Sequence, residues 1–245
     1  MCKKDYTQAM NNYLREVSFR LVFYSLPQFK DKFIEEFVGL FPEGNKNYKE
    51  DVLMDVELQT VDVDAIAADL GYPIVDVARA RTYVFDNVTI ANQMATVYVN
   101  PYYVYVNVHM NEGEKSFSDD FINDLNKIFG CKALEKCAIK QFYCLTSHSC
   151  ELEQVELNEV LDLKAFPQMD WERLGGAVYV DNYKNGDYSV DLKRIVGRMI
   201  ENKVMVTIQT STRIESGEEV YVDYKDMYDA SLNEVARCFN DGKKI

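Results

Sequence analysis

From Ala78 to Met110 the composition turns β-branched and aromatic, and on either side of Asn100-Pro101, between Ala95 and His109, the side chains fall into two faces with a period of two that constrains the fold more than any other feature of the sequence. Successive side chains of a strand point to opposite faces, so such a period describes strands with one face in a core. In ATVYVNPYYVYVNVHM, Ala95, Val97, Val99, Val104, Val106 and Val108 form the apolar set. Tyr98, Tyr103, Tyr105, Asn107 and His109 form the other. The composition predicts strands near 79–86, 89–99 and 102–110, with the last two joined at Asn100-Pro101 and Val99 opposite Tyr102. Tyrosines interleaved with Asn and His suit a half-wet contact surface, which makes these five polar-face residues candidate binding residues. The second half of the molecule covering that face is the competing reading, and both stay open at this level.

The flanking segments supply helices and further strands. Residues 15–24 read as a strand, and Ser25 and Pro27 open a helix on which Phe29, Phe33, Ile34, Phe37 and Leu40 recur at helical spacing before Pro42. A strand at 52–61 and a short helix at 63–70 ending at Gly71 are expected next. Ser118, Asp119 and Asp120 cap a helix, FINDLNKIF, that ends at Gly130. The second half begins with a strand at 134–145 and a helix from Glu151 to about Leu163. A meander of strands at 176–183, 187–197 and 203–214 follows, and a helix from about Asp226 to Asn240 closes the chain. Lys184-Asn185-Gly186 reads as a three-residue hairpin loop, which places Val178 and Val180 on one face with Val190 and Leu192.

The order strand, helix, antiparallel strands, long helix thus occurs twice. VFYSL at 22–26 matches QFYCL at 141–145, and INDLNKIF at 122–129 matches LNEVARCF at 232–239. The expectation is an α+β chain folding as one unit over 1–245, built from pseudo-repeats at 14–130 and 134–241. Each repeat carries its helices on one face of a curved antiparallel sheet.

Charge and composition exclude some functions. Forty Asp and Glu against 27 Lys and Arg give a net charge of −13, which repels phosphate backbones, and no Lys/Arg cluster makes a local basic stripe. Nucleic acid is therefore not an expected partner; an acidic face docking a basic protein is one reading of the charge, and solubility alone is the other. No apolar run approaches the length of about 18 residues that crosses a bilayer, and MCKKDYTQAM lacks the apolar core of a signal peptide, so a cytoplasmic protein with reduced thiols is expected. Oligomeric state is not readable.

Chemical motifs are sparse. Two histidines, His109 and His148, rule out a His-rich metal cage, and Cys131, Cys137, Cys144, His148 and Cys150 do not follow zinc-ligand spacing. CLTSHSC at 144–150 holds the thiol and imidazole of a nucleophile and base, but reads as a turn whose Ser147 or Ser149 caps the next helix. VDVDAIAAD lacks the Gly and final Glu of a calcium loop. No phosphate loop, nucleophile elbow or dinucleotide fingerprint is present. The catalytic alternative is the meander, where the three-residue loop would bring Asp181, Asp191 and Lys193 onto one face as the two acids and lysine of a metal-dependent hydrolase or nuclease.

The duplicated element order resembles the TATA-box-binding-protein fold, a saddle of two such repeats, or a helix-grip arrangement. The residues with which that protein grips the minor groove have no counterpart here. In layout, EVSFRLVFYSLPQF, the central IKQFYCL and the closing VYVDYKDMYDASLNEVARCF resemble an uncharacterised, sporadically distributed prokaryotic family of about this length. That resemblance implies no catalytic residue and no cofactor. The leading expectation is a non-enzymatic protein-binding module, an accessory or neutralising partner in a bacterial defence or toxin system.

Overall fold

The computed structural model describes residues 13–23, 31–41, 45–49, 82–100, 103–110, 119–135, 137–154, 156–166, 176–197, 200–215 and 223–239. The strand and helix expected at 52–61 and 63–70 lie outside them.

Eight long strands form one open antiparallel sheet: β1 (Leu14–Phe23), β3 (Thr82–Ile90), β4 (Gln93–Val99), β5 (Tyr103–His109), β6 (Ile139–Glu153), β7 (Ala177–Asn185), β8 (Tyr188–Val196) and β9 (Lys203–Glu215). The five-residue β2 (Asn45–Lys49) adds a ninth at one edge, giving the order β2-β3-β4-β5-β1-β6-β9-β8-β7. The two halves of the chain meet where β1 pairs with β6, Phe19 opposite Cys144 and Leu21 opposite Phe142.

Among the described residues the α-helices are α1 (Asp31–Leu40), α2 (Asp119–Phe129), the single turn α3 (Leu157–Val160) and α4 (Tyr224–Ala236). Asp119 and Asp120 in the first turn and Lys127 in the last match the dipole of α2, which buries Phe121, Leu125, Ile128 and Phe129. Asp223 caps α4, its side chain accepting from the amides of Lys225 and Asp226. Phe121 and Phe142 pack against Phe19, and the Tyr224 ring meets Phe19, Phe129 and Phe142. Phe33 and Phe37 of α1 join the same core, while Val206, Ile208, Leu192, Val235 and Phe239 belong to a second. Phe239 is buried but lies beyond α4, in a bridge with Leu161.

Several expectations are corrected. The first hairpin turns at Ala91-Asn92, where both residues have positive φ, as a primed two-residue turn requires. The strands expected at 79–86 and 89–99 do not break between 86 and 89: Asp86-Asn87 forms a bulge opposite Thr96 within the continuous β3, with Asn87 at φ 59°. Val99 pairs with Val104 instead of Tyr102; the shift is two residues, so the faces are unchanged. The segment 144–150 is not a turn but the middle of β6, and neither Ser147 nor Ser149 caps a helix. Only α3 forms in the stretch read as a helix from Glu151 to Leu163.

Asn185 pairs with Tyr188, so the β7–β8 loop has two residues, Gly186 and Asp187, with Gly186 at φ 61° in the first position. That register is odd relative to the expected one and reverses which β7 residues share a face with β8. Val178 and Val180 are 59% and 55% exposed, while Val190 and Leu192 are buried. Contacts of β7 with α4 and β8 hold the register: Tyr183 and Asn185 donate to the fully buried Glu234 of α4, and Asp181 pairs with the buried Arg194.

Candidate functional site

Pairing across five strands assembles a row of side chains on the sheet face opposite Phe19 and Phe142. Tyr98 of β4 lies opposite Tyr105 of β5, Tyr105 opposite Arg20 of β1, Arg20 opposite Tyr143 of β6, and Tyr143 opposite Arg213 of β9. Neighbouring strands are about 4.8 Å apart, so the row alternates aromatic and guanidinium groups within contact range. The Tyr98 and Tyr105 rings are 5.5 Å apart. The Arg20 guanidinium sits 4.6 Å from the Tyr143 ring centre, and that of Arg213 approaches the same ring at 6.0 Å.

Hydrogen bonds tie the row to its neighbour. Tyr105 Oη donates to Ser18 Oγ at 3.0 Å, and Ser18 Oγ donates to Asn107 Oδ1 at 2.7 Å. Tyr143 Oη donates to Gln141 at 2.6 Å. At the end of the face, Glu16 and His109 are direct cross-strand partners, with His109 Nδ1 3.2 Å from the carboxylate and both side chains about half exposed. All five expected binding residues, Tyr98, Tyr103, Tyr105, Asn107 and His109, therefore share one face. Tyr98, Tyr103, Tyr105 and Asn107 are half-buried and His109 is exposed, so the face is neither bare nor fully covered.

Burial and nearby charge set the state of the phenols on this face. Burial, then the charges of Asp86 and Glu16, raises the Tyr98 phenol above its usual range. Burial does the same at Tyr105, partly offset by the Ser18 hydrogen bond. Both phenols stay protonated at neutral pH and offer hydroxyls and π-faces beside a carboxylate.

The catalytic alternative is not assembled. Asp181 lies opposite Leu192, on the face of Leu192 and Arg194, whereas Asp191 and Lys193 project from the other face. Cys144 and His148 are four residues apart along β6, about 13 Å, too far for a thiol and its base. Burial pushes the Cys144 and Cys150 thiols up to about 12. Among the described residues no three His, Cys, Asp or Glu side chains are grouped to hold a metal, and no helix is long and apolar enough to cross a membrane.

Sequence reasoning missed Arg20, Tyr143 and Arg213. Each occupies the polar parity of its own strand, but their alignment depends on pairing among β1, β6 and β9, whose partners are distant in the chain. No family model matches the chain, and no curated protein matches it.

Proposed function

We propose that this chain is a non-enzymatic protein-binding module of the accessory or neutralising kind, whose contact surface is the tyrosine face of β4 and β5 and whose partner carries a basic surface. Tyr98 carries the reading: it is half-buried against Tyr105 and lies in the field of Asp86 and Glu16. A partner Lys or Arg reaching this point meets an aromatic face and a carboxylate together, which is the arrangement that favours a desolvated cation. The net charge of −13 adds long-range attraction for such a partner. Arg20 lies deeper in the row, buried over Tyr143, and leaves the outer end of the face acidic.

The proposal also takes the chain as two pseudo-repeats, 14–130 and 134–241, with their helices on one side of the sheet. The strand order supports this: β1 and β6 are central, followed outward by β5, β4, β3 in one half and β9, β8, β7 in the other. α2 and α4 close the two halves.

The test is capture from the native host at low salt with the wild-type chain and with a Tyr98→Ala/Glu16→Lys variant. A stoichiometric basic protein should be retained by the wild type, released by high salt and lost from the variant. Absence of any stoichiometric partner, or equal retention by both chains, would count against the reading.

A further inference from the structure

We propose that Arg213 and Ser211, beside Tyr143 and Arg20, form an oxyanion site that takes a carboxylate or phosphate group. The two residues lie on β9 two positions apart, so both side chains emerge on the face of the tyrosine row. Arg213 Nε is a buried atom, and Ser211 is 8% exposed with its Oγ buried. Among the described residues neither atom has a hydrogen-bond partner. Buried donors are nearly always paired, and two unpaired ones adjacent on one strand face are the complement of an acceptor with more than one oxygen.

Charge selects the same chemistry. In a chain of net charge −13, the guanidinium groups of Arg20 and Arg213 converge on one ring, Arg20 at 4.6 Å and Arg213 at 6.0 Å. Arg213 itself is half-buried, so the site is open to solvent from its side. Asp191 lies opposite Ser211 on β8 and bounds the site with negative charge, while Ser189 lies opposite Arg213. An anion is therefore held toward Arg213 and away from Asp191. A guanidinium edge that presents Nε together with a terminal nitrogen meets two oxygens at once, and the serine hydroxyl supplies a third donor. The inference is independent of the protein-partner reading, because its ligand is a small anionic group.

The test is an NMR titration of the arginine Nε–Hε resonances of the whole chain with sodium phosphate and with sodium acetate, each compared with sodium chloride at equal ionic strength. The Arg213 resonance, assigned by its loss in R213Q, should shift saturably with phosphate, acetate or both, well beyond the chloride effect. Ser211→Ala should weaken that binding about tenfold, the equivalent of one hydrogen bond to a charged group. Saturation with phosphate alone assigns a phosphate ligand, and with acetate alone a carboxylate. Shifts no larger than those of chloride, or saturable binding that Ser211→Ala leaves unchanged, would overturn the site. Ser211→Ala removes a single hydroxyl and keeps the test decisive should R213Q not fold.

Discussion

The guanidinium of Arg20 lies 4.6 Å from the ring centre of Tyr143, its direct cross-strand partner on β6, so the pair sits at the seam where the two halves of the chain join. Tyr143→Phe keeps the ring and loses the bond to Gln141, an expected cost of about 1 kcal/mol. Tyr143→Leu also loses the cation–π contact, adding about 1–2 kcal/mol. Urea titration of both variants checks the order; equal losses would mean that the ring face contributes nothing.

The β7–β8 register predicts opposite responses on the two faces. Val180→Thr, at an exposed site, should change stability by less than about 0.5 kcal/mol, whereas Leu192→Ala should cost about 2–5 kcal/mol. Large losses at both positions would restore the three-residue loop, which puts Val180 on the same face as Leu192.

Phe129 and Phe239 are both buried, in different cores. Truncating either to Ala should cost about 3–5 kcal/mol, a large share of the stability of a domain, and thermal unfolding of each variant measures it. A melting temperature unchanged by either truncation would contradict the packing described above.

Buried thiols make stability fall in alkali. Burial raises Cys144, Cys150 and Cys238 from an ordinary 9.0 to about 12, so the unfolded chain releases these protons first. Between pH 9 and 12 the folded state binds more protons, and stability drops as pH rises; below pH 9 these groups contribute no slope. Each adds about 1.4 kcal/mol per pH unit inside that window. Urea midpoints from pH 8 to 11 should fall, and Cys150→Ala should fall less steeply than the wild type. Parallel slopes for the two proteins would show that Cys150 is not desolvated.

The two faces of the β4–β5 hairpin were legible in the sequence because the alternation of valine with Tyr, Asn and His spans both strands. Even a two-residue error in pairing left them intact, since a shift of two preserves side-chain parity. The β7–β8 hairpin was not legible. Lys184-Asn185-Gly186-Asp187 accommodates a loop that ends on Gly186 as readily as one that begins on it, and the odd difference between them separated Asp181 from Asp191 and Lys193.

What the sequence determined by itself was local: the period of two that makes strands, and the apolar spacing of Phe121, Leu125 and Phe129 that makes a buried helix face. Tertiary structure decided which strands are neighbours and which face each carboxylate takes. Rival turn types differ little in local free energy, and burying Glu234 against Tyr183 and Asn185, or Arg194 against Asp181, outweighs that difference. The row from Tyr98 to Arg213 arises in the same way, because no local interaction brings Arg20, Tyr143 and Arg213 together until β1, β6 and β9 have paired.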